Sequence, residues 1–278
     1  MNYWIKKGLA AMIAAGLLLA MGACELSPDV IETCLNHTNQ ADSMTFEMDM
    51  VIGMTVLGQE VSTYTSGEGR STSDPARVAM RYTQQVGGIS VEAKSYAEQS
   101  GDAYVQYTKI GDQWMKQSFA VASINQDPKQ AMMTYLGGIT RYQKEGEEPV
   151  AGKTASKYTA VISGDAIGKV LNASGAMSQL EQTGLDASQV ADLYTDLGDL
   201  NVTLWVDETA MQAVKIEMNL TEMMKTLIEK IEQTQSADLS AAGLSITALS
   251  MSMTVTGYNN VDSIDIPDEA LSASELLA

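Results

Sequence analysis

The chain carries two cysteines and one histidine, so the chemistry open to its side chains is narrow. Cys24 closes the run Leu18-Leu19-Ala20-Met21-Gly22-Ala23-Cys24. An apolar stretch from Leu9 to Met21 precedes it, and Lys6 and Lys7 precede that. A basic start, a short apolar stretch and small residues before a cysteine form the pattern of a bacterial lipoprotein leader. The chemistry is lipidation of the thiol with a diacylglyceryl group, and the mature chain would begin at Cys24. The stretch is shorter than the roughly 20 residues a membrane-spanning helix needs. Met21 and Gly22 depart from the commonest lipobox, which has Leu and then Ala, Ser or Thr. Plain secretion with a cut beside Gly22 or Ala23, and retention of the leader as an anchor, are the other readings.

The remaining candidates offer less. His37 lies in an expected helix with no partner motif, which argues against a histidine-based triad or metal cluster. Cys34 falls on the apolar face of the same helix and reads as a small core residue. With Cys24 lipidated, no intrachain disulfide is open to it. Glu145, Glu147 and Glu148 read as a solvated loop and lack the ligand spacing of a calcium loop. The sequence has no phosphate-cradling glycine loop and no nucleotide fingerprint. A non-enzymatic protein without metal or cofactor is therefore expected.

Loss of the leader removes Lys6 and Lys7 and takes the formal net charge from −18 to about −20. Such a chain is repelled by nucleic acid, which needs a basic face. The acidic balance suits a domain held off an anionic bilayer by two acyl chains. The expected location is the outer, extracytoplasmic face of the cell membrane.

One composition signal stands out. Fifteen of the 18 methionines belong to the mature chain, which has only two phenylalanines, Phe46 and Phe119. Met48, Met50, Met54, Met80, Met218, Met251 and Met253 fall on the apolar faces of expected strands, and Trp205 joins them. Methionine is flexible and polarizable and lines surfaces that adapt to varied apolar partners. These eight residues are the candidate lining of an apolar cavity. The other reading is a core filled with methionine in place of phenylalanine.

The elements that must position these residues are legible as periodicities. Residues 27–41 predict a helix with Ile31, Cys34, Leu35 and Thr38 on one face. Strands with period-two alternation follow: Phe46, Met48, Met50, Ile52 and Met54, then Val78, Met80 and Tyr82. Tyr104–Lys109 and Gln113–Ser118 form a hairpin. Residues 126–142 predict a helix, and Lys144–Pro149 a charged loop. Lys153–Ser163 predicts a strand, and short helices follow over 165–171 and 187–197. A second hairpin pairs Val202–Asp207 with Ala213–Thr221, in which Val214, Ile216, Met218 and Leu220 alternate. A helix over 222–235 and a strand through Leu249, Met251, Met253 and Val255 complete the domain, with a loose tail over 264–278. The expected organisation is leader 1–23, one domain over 24–263, and that tail. The fold class is α+β: a strongly curved, unclosed antiparallel sheet with helices on its concave face.

Several segments together resemble a known family. They are the lipobox, Ser43 to Met50, the hairpin from Tyr104 through Trp114 to Lys116, Leu204-Trp205-Val206-Asp207 with Val214 to Met218, and the ending Tyr258 to Val261 with Ile264 to Ala270. The chain resembles a DUF6612-like family of lipoproteins from Gram-positive bacteria, related in fold to the LolA/LppX half-barrel proteins. The resemblance implies a bent open sheet with helices plugging its hollow, which carries lipids or acyl chains in the better-known relatives. It supplies no site motif to carry over residue by residue.

Two functions follow as expectations. The first is a membrane-anchored protein that binds or carries a hydrophobic ligand, a lipid or acyl chain, between sheet and helices. The second is an envelope sensor or protein-interaction module with a filled core, its partner another envelope protein.

Overall fold

A computed structural model describes residues 29–120, 128–173, 187–193, 195–235 and 245–275. Residues 1–28, including Cys24 and the expected leader, lie outside them. The first described helix is α1 (Asp29–Asn39). A six-strand meander follows: β1 (Ser43–Val56), β2 (Gln59–Ser73), β3 (Ala76–Val86), β4 (Ile89–Ser100), β5 (Ala103–Ile110) and β6 (Gln113–Ala120). Helix α2 (Pro128–Gly137) leads into β7 (Ile139–Val150) and β8 (Lys153–Ile162). Helices α3 (Gly164–Ala173) and α4 (Ala187–Leu193) precede the hairpin β9 (Leu200–Asp207) and β10 (Gln212–Asn219). Helix α5 (Thr221–Gln235), β11 (Ser245–Tyr258), α6 (Asp268–Leu271) and β12 (Ser274–Glu275) close the series.

All twelve strands join one sheet in the order β12-β6-β5-β4-β3-β2-β1-β11-β10-β9-β8-β7. Every neighbouring pair is antiparallel except β12 with β6. The two end strands do not meet, so the sheet stays open. Strands β1 and β11 join the two meanders from Met44 opposite Tyr258 to Thr55 opposite Ser245. The fold is the expected unclosed α+β sheet.

The concave face buries one large core, from Phe46 and Val78 through Met253, Ile216 and Leu204 to Tyr158. Helices α1 and α2 pack together over it, α1 also touches β10, and α5 lies on β11. Each large side chain withdrawn fully from water contributes roughly 1.5–3 kcal/mol, so no disulfide is needed to hold this sheet.

Four elements differ from the sequence expectation, each for a physical reason. Residues 144–149 are strand, not loop. They belong to β7, the edge of the sheet, where charges, a bulge at Glu145 and Pro149 block pairing with another chain. The helix expected to reach 142 stops at Gly137 because Gly138 must lie against Val170 and Ile162. Strand β2 escapes the alternation test because its residues are mostly Ser, Thr, Gly and Glu. Finally, residues 264–275 are not loose. Ile264 is buried and its carbonyl accepts from Arg77 Nη1 at 2.9 Å, while Ser274 and Glu275 pair with β6.

Candidate functional site

The register of the central strands assembles the methionines into adjacent rungs. Met48 on β1 faces Met253 on β11, which faces Ile216 on β10. In the next rung Met50 faces Met251, which faces Met218. Helix α2 crosses above and presents Ala131, Met132 and Tyr135. Between helix and sheet lies a cavity of about 270 Å³.

Five of the eight lining candidates meet there: Met48, Met80, Met218, Met251 and Met253. Met50 and Met54 remain half-buried on β1 and do not line it. Trp205 belongs to the opposite face. Its neighbours Leu204 and Val206 fill the concave core, so strand alternation turns the indole outward. There it packs with Val150, Ala155 and Val214. Lys215 Nζ and Lys157 Nζ stand 4.6 and 5.1 Å from its ring centroid, and its indole N–H donates to Glu148. Val214 shares that outer cluster because a bulge between Ala213 and Lys215 breaks the alternation that Val214, Ile216 and Met218 suggest.

The sequence reading missed the helical wall of the cavity and the glycines that β2 places beside its lining strands. Met132 and Tyr135 are one turn apart, a spacing that signals a shared face. On β2, Gly69 lies between Phe46 and Met80 in one rung, and Gly67 between Met48 and Tyr82 in the next. A Cβ on Gly67 would stand 2.6 Å from the Tyr82 Cβ and 2.7 Å from the Arg81 carbonyl oxygen. Only glycine permits so close an approach of two strands.

The cavity carries no formal charge. Its one titratable lining group is Tyr135, whose phenol burial holds above its usual range and therefore protonated. Behind it, burial also raises Tyr258, whose hydroxyl donates to the Ala213 carbonyl at 2.6 Å. Such a hollow solvates methyl and methylene groups and gives a phosphate or carboxylate no charged partner. Four larger depressions, of about 430, 410, 350 and 300 Å³, open on the outward face. They are bordered by charged and polar groups such as Glu68, Arg81, Glu217 and Ser252, which the methionine cavity lacks.

Among the described residues no group of three or more His, Cys, Asp or Glu side chains could hold a metal ion. No helix among them is long and apolar enough to cross a membrane.

The chain is similar in structure to the lipoprotein LppX of Mycobacterium tuberculosis, at 12% identity and a TM-score of 0.46, over 86% of this chain and 100% of that one. It is similar to LprF of Mycobacterium bovis at 13% identity and a TM-score of 0.44, over 88% and 98%. A putative outer membrane lipoprotein-sorting protein domain from Vibrio parahaemolyticus aligns at 6% identity and a TM-score of 0.25, over 87% and 96%. A search of curated proteins finds no match in sequence. A family profile does match, over residues 27–275, which is most of the chain. By that match the chain belongs to DUF6612, a family of unknown function.

Proposed function

We propose that this is a lipid-anchored extracytoplasmic protein that holds an apolar ligand, a lipid or single acyl chain, between β1, β10, β11 and α2. The observation that carries the reading is the uncharged, methionine-lined cavity of about 270 Å³. Its size lies just under the roughly 300–1,000 Å³ typical of small-molecule sites. Methionine side chains have three rotatable bonds and can swing to lengthen such a cavity around a chain. The headgroup would remain outside, since nothing charged lines the interior.

Native mass spectrometry of the protein extracted from its own membrane tests this. A bound lipid, or uptake of added palmitate, is the expected result. Ligand-free protein that takes up no added lipid sinks the proposal.

The modest volume favours a second reading, a packed envelope interaction module. The substitution Ala131→Leu separates the two. The anchor itself rests on the Cys24 leader pattern. Metabolic labelling with a fatty-acid probe should mark the wild type and not Cys24→Ala, and equal labelling refutes lipidation at this residue.

A further inference from the structure

In an antiparallel meander alternate turns lie at the same end of the sheet. The turns β1–β2, β3–β4 and β5–β6 therefore share one end, and β2–β3 and β4–β5 the other. The first end is apolar. Leu57 is 80% exposed, Ile89 69% and Ile110 45%, and Val56, Val86 and Val91 stand exposed beside them. The opposite end is built from Ser73-Asp74-Pro75-Ala76 and Ser100-Gly101-Asp102-Ala103.

Leu57 is held at this tip against its own preferences. Its φ is +52° and that of Gly58 +77°, the turn geometry that favours Asn, Asp or Gly. A leucine there gives up both backbone ease and burial, and nothing within the described fold is gained in return.

A second oddity adjoins the tips. On the outward face Arg81, Lys94 and Lys109 stand directly opposite one another across β3, β4 and β5, and Trp114 ends the rung on β6. Like charges so placed destabilise a sheet. Glu68 and Glu92 share this face, yet no carboxylate among the described residues comes within 4 Å of these three cations in an ion pair. Lys109 Nζ lies 5.8 Å from the Trp114 ring centroid and one residue from the Ile110 tip. A chain of strong negative charge thus lines up three cations in one rung, level with the Ile110 tip and bounded on β2 by Glu68 opposite Arg81.

We propose that these three hairpin tips form a docking rim for a bilayer that carries anionic phospholipid. The tips enter the acyl boundary, and Arg81, Lys94 and Lys109 meet the lipid phosphates. Apolar groups flanked by basic ones are the combination that an anionic membrane interface binds. The rest of the acidic surface is repelled, so docking orients the molecule with this end toward the lipid. The proposal does not depend on whether the methionine cavity is filled.

The test uses the mature chain, residues 24–278, with Cys24→Ser, so that no anchor contributes. A polarity-sensitive fluorophore is placed at Ile89→Cys, and for comparison at Asp102→Cys on the opposite end. Vesicles are equal parts phosphatidylglycerol and phosphatidylcholine, or phosphatidylcholine alone. The expected result is a blue shift at residue 89 with the anionic vesicles and none at 102. Leu57→Asp with Ile110→Asp, or Lys94→Glu with Lys109→Glu, should weaken vesicle binding about tenfold or more. Roughly 0.5 M salt should weaken it as well. All four positions are on the surface, so unchanged thermal unfolding separates lost docking from lost fold. No shift at 89, an equal shift at 102, or charge reversal without effect overturns the proposal. Self-association through the tips in the absence of vesicles overturns it too, by naming a second copy as the occupant.

Discussion

Phe46 on β1 faces Gly69 on β2, and its ring occupies the space that a side chain on Gly69 would fill. The glycine is the reason a fully buried phenylalanine fits beside the methionine rungs. Gly69→Val should therefore displace the ring toward the cavity and cost about 1–3 kcal/mol, the usual range for an overpacked core. Thermal unfolding would show the loss. Phe46→Leu should recover part of it in the Gly69→Val background, since the two residues contend for one volume. Strictly additive losses would mean that the contact does not govern the packing.

Ala131 on α2 borders the cavity with a single methyl group. If the cavity stands open to ligand, Ala131→Leu fills it, leaves stability unchanged or raises it by about 1 kcal/mol, and abolishes palmitate uptake. If the core is already full, the same change overpacks it and lowers the melting temperature. One measurement of each kind, on one variant, separates the carrier from the packed module.

Much of this arrangement was legible beforehand, and the failures are informative. Alternation from Phe46 to Met54 and through Met251 and Met253 found the central strands, because those strands have one wet and one dry face. It did not find β2, whose glycines leave room for Phe46 and so carry no hydrophobic signal of their own. It misread Lys144–Pro149 because an edge strand is protected by the same charges and proline that mark a loop. Trp205, grouped with the methionines as a cavity candidate, lies elsewhere. Alternation with Leu204 and Val206, which fill the concave core, puts it on the other face. The split of the methionines, with Met48 inside and Met54 not, follows from where α2 crosses, a long-range fact that no local pattern holds.

Lys129 ties three segments together. It is buried at the start of α2, and its Nζ donates to the Ala41 carbonyl at 2.8 Å, to Ser73 Oγ at 2.8 Å and to the Asn39 carbonyl at 3.3 Å. These contacts hold the cavity's helical wall to the end of α1 and the turn after β2. Lys129→Met preserves the aliphatic stem and removes the donors. Buried acceptors left unpaired cost about 1–3 kcal/mol. A urea titration should show a lower midpoint with an unchanged slope, and an unchanged midpoint would mean the latch contributes nothing.

Acid should loosen the outer edge of the β9–β10 hairpin first. The Tyr158 hydroxyl donates to Glu208 and holds its carboxyl below the usual range; burial opposes this, and Lys144 Nζ at 3.0 Å adds to it. Burial pushes Asp207 up, but the Ala210 and Thr209 amides and Lys153 outweigh it and leave the group depressed. A carboxyl lowered in the folded state stabilises fully above its unfolded value, and that share is lost as pH falls through the folded value. Melting temperature should thus stay level from neutrality to the ordinary carboxylate range and fall below it. Glu208 is partly exposed, so solvent screens its share. Glu208→Gln should flatten the fall, and an identical pH profile in that variant would assign the acid response elsewhere.

Cys34 supplies the sharpest readout of the folded state. It is wholly buried where α1 meets β10, and burial pushes its thiol up to about 12, with Thr38 and the Ala213 backbone opposing the rise only in part. The reactive species is the thiolate, and at pH 8 almost none exists in the folded chain. In residues 24–278 with Cys24→Ser, iodoacetamide should leave the native protein unmodified and label it fully in guanidinium. Modification should then follow the fraction of molecules in which α1 has lifted off the sheet. Lys129→Met, which loosens α1 from α2, should accelerate it, whereas Leu57→Asp at the distant hairpin tip should not. Labelling of the native wild type as fast as the denatured chain would show that α1 does not seal this site.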